Sequence, residues 1–383
     1  MALRQSLFLS FFSLALLTGC KQQPGSDAAA TATQIPVGEY GSMSGTEATF
    51  GQSTHMGVQL AVDEANAAGG VLGKPINLTS EDDAGSQDQA VSVVQKLINA
   101  DHVVAVLGEV ASSNSLAGGG ICQKYGVPMI SPSSTNPTVT KDRDFVFRVC
   151  FTDDFQGSAD AAFGLKKGWK SVAVLTAADS DYSKGLAEFF KANFTKGGGK
   201  IVSDEEYGKT DRDFKPQLTR IASSNPDAVY LPGYYTQVVL ILRQARQLGL
   251  NVPFFGGDGW DSPETLALGK DADGCFFSTH YSPDEKRPEV QEFVTAFQAK
   301  YHSVPDSMAV TGYDAARVLF DAIKRAGKPD PTAIRDALAA TKDFPGASGA
   351  ITIDADRNAS KPIVMLEIEG GKTTIADTIP PPP

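Results

Sequence analysis

The chain has 383 residues, with 34 Lys and Arg against 45 Asp and Glu and a formal net charge of −11. That balance argues against nucleic acid or anionic lipid as a partner, since either needs a basic face. Behind a short leader, roughly 360 residues remain, too many for one small core and enough for two lobes.

The leader sets the compartment. Arg4 supplies a positive start, and Leu7 to Leu17 (LFLSFFSLALL) is an apolar run too short to span a bilayer, so it reads as a signal peptide. It ends in Leu17-Thr18-Gly19-Cys20, which places a thiol where lipoprotein processing attaches acyl chains and cuts. Residues 1–19 are therefore expected to be a lipoprotein signal peptide. Cys20 is expected to anchor the mature chain to a membrane, in the periplasm or at the cell surface. Residues 20–33 are poor in groups that could be buried and read as a flexible tether. No second apolar run of spanning length follows.

From Gln34 onward, short apolar runs alternate with helix-like stretches. Strands are expected over Ile35–Tyr40, Ile76–Ser80, Val103–Gly108 and Val127–Ser131, with helices over Ser53–Ala67, Ser86–Asn99 and Ser113–Tyr125 between them. Gly69-Gly70 closes the first helix. A second series has strands over Ser171–Thr176, Lys200–Glu205, Ala228–Pro232 and Val252–Gly256. Its helices are Gln156–Lys167, Lys184–Phe194, Phe214–Ser223 and Thr236–Leu248. A strand over Cys275–Tyr281 comes next, then helices over Pro288–Tyr301, Ser307–Ala326 and Pro331–Thr341. Ala350–Asp354 and Ile363–Glu369 resemble antiparallel edge strands, and residues 378–383 a loose proline tail.

This alternation implies an α/β fold of two doubly wound parallel-sheet lobes joined by a multi-strand hinge. The expected lobes are 34–151 with 280–346, and 152–279 with 347–377. Crossings are placed near Phe151-Thr152, Ser278–Tyr281 and Gly346–Ala350. Ligands of such sheets bind at the carboxyl ends of strands, so the informative residues should follow those ends. Cys122, Cys150 and Cys275 remain beside Cys20. An odd number permits at most one internal bridge, and no pairing is favoured.

At the strand ends the chain resembles the leucine/isoleucine/valine-binding protein family, the branched-chain branch of type I periplasmic binding proteins. The resemblance is carried by Gly41-Ser42-Met43-Ser44-Gly45, Phe50-Gly51-Gln52, residues 65–73 (ANAAGGVLG) and Glu81-Asp82-Asp83. It continues through residues 130–137 (ISPSSTNP), Phe147-Arg148, Asp154-Phe155-Gln156-Gly157 and Gly233-Tyr234-Tyr235. In order and spacing it runs from about residue 35 to 375. It implies a monomeric ABC-importer substrate-binding protein that needs no cofactor and hands an apolar amino acid to a permease.

The resemblance also implies site residues. Ser112 matches a serine whose hydroxyl and neighbouring amides hold the ligand carboxylate. Ser133, through its carbonyl, and Thr135, through hydroxyl and amide, match partners completing the carboxylate and amino sites. Asp258 stands where the family more often has Glu for the ligand ammonium, and Tyr234 matches a second-lobe tyrosine at the ligand backbone. Phe50, Ala111 and Tyr182 match apolar-pocket positions, with Trp260 and Tyr313 as looser candidates.

Physical chemistry asks for the same groups, because a zwitterion buried between lobes needs both charges hydrogen-bonded. Simpler readings compete: Ser112, Ser133 and Thr135 as helix caps, Asp258 as a turn residue, Phe50 and Tyr182 as core. A sensor of the same fold for an amide, urea or another small solute is the functional alternative. It would not need an acid at 258.

An enzyme finds little support. G-x-G-x-x-G and G-x-S-x-G are absent. Gly208-Lys209-Thr210 and Gly371-Lys372-Thr373 imitate the end of a P-loop, but Ser203 and Leu366 stand where its first glycine belongs. His55, His102, His280 and His302 lack metal-ligand spacing. Asp82 and Asp83, adjacent at a strand end, should point opposite ways rather than form a catalytic pair.

Overall fold

A computed structural model describes residues 33–381. The expected leader, Cys20 and the tether up to residue 32 lie outside the described residues. The first series folds into a five-stranded parallel sheet of Ile35–Gly41 (β1), Ile76–Asp82 (β2), Val106–Leu107 (β3), Met129–Ser131 (β4) and Val146–Arg148 (β5). Its order is β2-β1-β3-β4-β5. β1 is buried at almost every position, as a central parallel strand covered on both faces should be. β1 and β2 pair from Ile35↔Ile76 to Gly41↔Asp82, so Ser42 and Asp83 leave the sheet side by side.

Helices Ala48–Ala67 (α1), Gln87–Asn99 (α2) and Ser112–Tyr125 (α3) connect these strands. One core, with Ile35, Val37, Leu107 and Phe147, lies on one side of the sheet, and another, with Val94, Leu97, Val106 and Met129, on the other.

The second sheet has seven strands. They are Ser171–Ala177 (β6), Lys200–Tyr207 (β7), Ala228–Tyr230 (β8), Phe254–Gly256 (β9), Cys275–Thr279 (β10), Ile363–Glu369 (β14) and Lys372–Ile379 (β15), in the order β15-β14-β10-β9-β8-β6-β7. β6 to β10 run parallel where they pair, and β14 is antiparallel to both β10 and β15. Helices Asp153–Lys166 (α4), Asp181–Lys196 (α5), Lys215–Ser223 (α6), Tyr235–Gln247 (α7) and Pro263–Leu266 (α8) belong to this series.

After β10 come Pro288–Tyr301 (α9), Ser307–Ala326 (α10) and Pro331–Ala339 (α11). They return to the first lobe, where Phe293, Leu319 and Ile334 join the core around Ile35. α10 is capped at its start by Asp306, whose carboxylate accepts from Ala309 N at 3.0 Å, and at its end by Gly327 at φ 69°. It lies so close to α1 that a Cβ on Gly312 would stand 2.6 Å from Thr54 O. Only glycine permits that approach.

Several details differ from the sequence reading, among them β5, where no strand was expected. Phe344–Gly346 (β11), Gly349–Ile353 (β12) and Ala359–Ser360 (β13) form a small separate sheet. Its Ile351, Ile353 and Ala359 are buried in the first lobe's core. The chain therefore joins the second sheet only at Ile363, and the third crossing falls after residue 360 instead of at 346–350. Neither β12 nor β14 is an edge strand, since each has a partner on both sides. Thr378 and Ile379 belong to β15, not to a loose tail. β15 escaped notice because it is a half-exposed outer strand with few apolar residues, and Gly370-Gly371 is the turn of its hairpin, with Lys372 and Thr373 already paired in the strand.

Candidate ligand-binding site

Strand ends of both sheets converge at the seam between the lobes. Ala111, not Ser112, is the N-cap of α3, so Ser112 is the first helical residue and its hydroxyl accepts from Asn136 N at 3.3 Å. Asn136, not Thr135, caps the short helical turn Pro137–Val139. The Ser133 hydroxyl donates to Met308 Sδ at 3.3 Å. The Thr135 hydroxyl is buried with no hydrogen-bond partner among the described residues. The helix-cap readings of all three residues therefore fail.

The loop carrying Ser133 and Thr135 is held from beneath by Arg148 at the end of β5. Its buried guanidinium donates to Ser134 O at 2.6 Å, Asn136 O at 2.8 Å and Thr140 Oγ1 at 3.3 Å.

On the opposite wall, Asp258 follows β9 and is buried. Its Oδ1 accepts from Tyr182 OH and Gln156 Nε2, each at 3.0 Å, and its Oδ2 lies 3.3 Å from His280 Nε2. Burial lowers the His280 pKa against the opposing pull of Asp258, which makes a neutral donor of the ring at neutral pH. The ring also lies against Phe151, centroids 4.1 Å apart. Glycine at 257 is what lets Asp258 into this frame. A Cβ there would meet the Tyr182 hydroxyl, and Gln156 Nε2 at 2.8 Å.

Asp153, the first residue of α4, is fully buried with neither carboxylate oxygen hydrogen-bonded among the described residues. Its main-chain N donates to Thr135 O at 2.9 Å. The Thr135 hydroxyl lies beside its carboxyl without reaching hydrogen-bond geometry. Burial raises the Asp153 pKa well above the usual carboxylate range, and Asp258 adds to the effect. An unpaired carboxyl, an unpaired hydroxyl and Asp258 thus lie together at the seam. A cation carrying hydrogen-bond donors would satisfy all three.

The rest of the cleft is apolar. Phe50 and Ala111 from the first lobe share one buried cluster with Tyr182, Tyr234, Phe151 and Met308. Tyr182 and Tyr234 stack at 5.0 Å with planes 3° apart, and Phe50 meets Tyr234 edge-on at 5.7 Å. Hydrogen bonds close the rim on both sides. Ser113 Oγ donates to Asp181 Oδ2 at 2.9 Å, and Asn136 Nδ2 to Asp181 O at 2.8 Å. Thr49 Oγ1 donates to Glu264 Oε1 at 2.5 Å, and Tyr235 OH to Thr46 O at 3.1 Å.

Two sequence candidates lie elsewhere. Trp260 is fully buried in the core on the far face of the second sheet and donates to Leu231 O at 2.8 Å. Tyr313 is in the first lobe's core, packed on Phe293 and bonded to Glu64 Oε2 at 2.7 Å. Sequence reasoning missed Asp153, Gln156, Arg148 and His280 as members of the site. An acid in a first helical turn reads as a dipole partner, and a lone histidine as core. Only Asp154-Phe155-Gln156-Gly157 and Phe147-Arg148 flagged the neighbourhood.

Cys122, Cys150 and Cys275 are free and buried. Burial pushes the Cys122 and Cys150 thiols to about 12, so they behave as small apolar groups. Among the described residues no helix is long and apolar enough to cross a membrane, and no cluster of His, Cys, Asp and Glu could hold a metal.

Residues 34–373 match the periplasmic binding protein family. A Leu/Ile/Val-binding protein of Rhizobium johnstonii is 33% identical over 347 residues, covering 90% of this chain and 94% of that protein. The crystal structure of a leucine-binding protein from Thermotoga maritima superposes with a TM-score of 0.87 at 39% identity, covering 91% of this chain and 99% of that one. A solute-binding protein from R. palustris, solved in complex with benzoate, gives a TM-score of 0.85 at 27% identity over 91% of this chain and 97% of that one. The chain therefore belongs to the periplasmic binding protein family, within its Leu/Ile/Val-binding branch, and is an extracytoplasmic solute-binding protein of the ABC-transporter type and not an enzyme.

Proposed function

We propose that the protein captures an apolar, branched-chain-like amino acid between its lobes and delivers it to an ABC importer, held at the membrane by acyl chains on Cys20. The observation that carries the ligand class is the buried, unpaired Asp153 carboxyl beside the unpaired Thr135 hydroxyl, within electrostatic reach of Asp258. An α-ammonium supplies the hydrogen-bond donors that these groups lack. In this reading the ligand carboxylate lies on Ser112 at the start of α3, where the first-turn amides and the helix dipole favour an anion. The Thr135 amide and Tyr234 complete that site, and the Ser133 carbonyl joins Asp258 and the Thr135 hydroxyl around the ammonium. Phe50, Ala111 and Tyr182 enclose the side chain. Both walls contribute, so closure completes the pairing, and the ligand favours the closed state by the contacts that closure adds.

A second reading is an aromatic carboxylate. It draws support from the benzoate-binding relative and from the Phe50, Tyr182 and Tyr234 wall. Such a ligand would leave Asp153 and Asp258 without a cation, a costly arrangement for buried acids. Calorimetric titration of the ligand-stripped protein with the common amino acids, benzoate, urea and acetamide separates the readings. Micromolar or tighter binding of Leu, Ile or Val supports the amino-acid reading. Binding of benzoate alone, or of an amide or urea alone, rejects it. Globomycin-sensitive processing and loss of membrane association in Cys20→Ser test the anchor.

A further inference from the structure

We infer that Glu109 is a positioning residue of the ligand site, holding the first-lobe loops together through one proton that it shares with Asp83 across the Ser42 hydroxyl. The inference rests on the ligand reading above only for its consequence on binding. The geometry stands independently.

The Ser42 hydroxyl oxygen lies 2.8 Å from Glu109 Oε1 and 3.1 Å from Asp83 Oδ1. A hydroxyl has one proton to donate, and ionised carboxylates only accept. One of the two contacts therefore needs a proton from a carboxyl. The groups facing the pair from neighbouring elements are Tyr40 on β1, Asp82 at the end of β2, Glu47 ahead of α1 and Tyr234 from the second lobe. None of these is a cation that could neutralise the pair. Burial raises both acids, Asp83 to about 6 with Asp82 and Glu47 adding to it, and Glu109 well above its ordinary value with Asp83 adding to it.

Glu109 itself ties the first-lobe wall together, and the shared proton relieves the repulsion between its carboxyl and that of Asp83. Ser42 N donates to Glu109 Oε1 at 2.9 Å, and Ala111 N donates to Glu109 Oε2, directly before Ser112. The Glu109 carbonyl accepts from Ser115 at 3.0 Å, Ser131 at 2.7 Å and Ser134 at 2.9 Å. Gly85 N donates to Asp83 Oδ1 at 2.9 Å. The loops after β1, β2, β3 and β4 thus meet at this one residue and its partner. Removing the proton sets two negative charges against a single hydroxyl in a buried place and loosens the loop that presents Ser112. These acids have raised pKa values, so their contribution is full at low pH and is lost as pH rises through those values.

The test titrates L-leucine into the full-length protein in detergent from about pH 5 to about pH 8. Wild-type affinity should fall roughly tenfold across that range, the size expected when a residue acts on a site through others. Asp83→Asn, which leaves Glu109 free to ionise among its donors, should keep the low-pH affinity and flatten the profile. Glu109→Ala should weaken binding at every pH by roughly tenfold or more. Infrared difference spectra of the ligand-free protein near neutral pH provide a readout independent of ligand. A protonated-carboxyl band present in wild type should be lost in both Asp83→Asn and Glu109→Gln. An unchanged pH profile together with an unchanged band in Asp83→Asn overturns the inference. If wild type binds no leucine at any pH, the ligand reading fails, and the infrared comparison alone decides the shared proton.

Discussion

On the first-lobe side of the cleft, Ser42, Ala111, Ser115, Ser131 and Ser134 all bond to Glu109, Asp83 joins through Ser42, and Arg148 fastens the next loop through its carbonyls. On the second-lobe side, Asp258 is suspended among three side chains, Gln156, Tyr182 and His280, reached from three separate elements. The first wall is a main-chain scaffold that presents hydroxyls and amides. The second centres on Asp258, an acid held in a frame of side chains, with the unpaired Asp153 nearby. The difference teaches where binding energy should concentrate. Many weak neutral donors on a rigid wall share the load, whereas a single buried charge cannot be replaced by its neighbours.

The sharpest way to break this comparison is Asp258→Ala. It should leave the fold intact, by circular dichroism, and cost on the order of 2–5 kcal/mol of leucine binding in calorimetry, as truncating a buried charge partner does. Affinity equal to wild type would remove Asp258 from the site. On the other wall, Thr135→Val should cost about 1–3 kcal/mol, the loss of a hydrogen bond to a charged group. A larger loss than in Asp258→Ala would reverse the proposed division of labour.

The contrast extends to stability without ligand. Asp160, under the second sheet, is fully buried, bonded to Tyr230 OH at 2.8 Å, and raised to about 8 chiefly by burial. Because its folded pKa lies above the unfolded one, the stability it contributes is full below about pH 4 and is lost as pH rises through about 8. The melting temperature of wild type should therefore fall more steeply between these limits than that of Asp160→Asn. Parallel curves would show that Asp160 does not hold its proton. The smallest effect belongs to the rim. Thr49→Ala removes a partly exposed interlobe hydrogen bond to Glu264 and should cost about 0.5–1 kcal/mol, visible mainly as faster leucine release in stopped flow. No change in release would exclude this contact from holding the closed state.

Much of the molecule was legible before folding. Alternation of apolar runs with helical stretches fixes a parallel α/β architecture, because a strand buried on both faces has to be apolar throughout while a covering helix shows a 3.6-residue period. The strands over 35–41 and 171–177 stand out for that reason. β15 did not, because an outer strand with one exposed face carries little apolar signal. β11 and β13, at three residues and two, are too short to show a period.

In the candidate site, Ser112, Ser133, Thr135 and Asp258 could be named because they follow strand ends in a recognisable order. Asp153, Arg148, His280 and Glu109 could not. Nothing local distinguishes an acid that caps a helix from one buried without a partner, or a glutamate in a loop from one that ties four loops together. The sequence by itself determined the elements, the two sheets and the strand ends where a ligand belongs, since periodicity and turn chemistry act over a few residues. Only the tertiary structure decided which polar groups are deprived of water and which remain unpaired, because desolvation depends on what the rest of the chain packs around them.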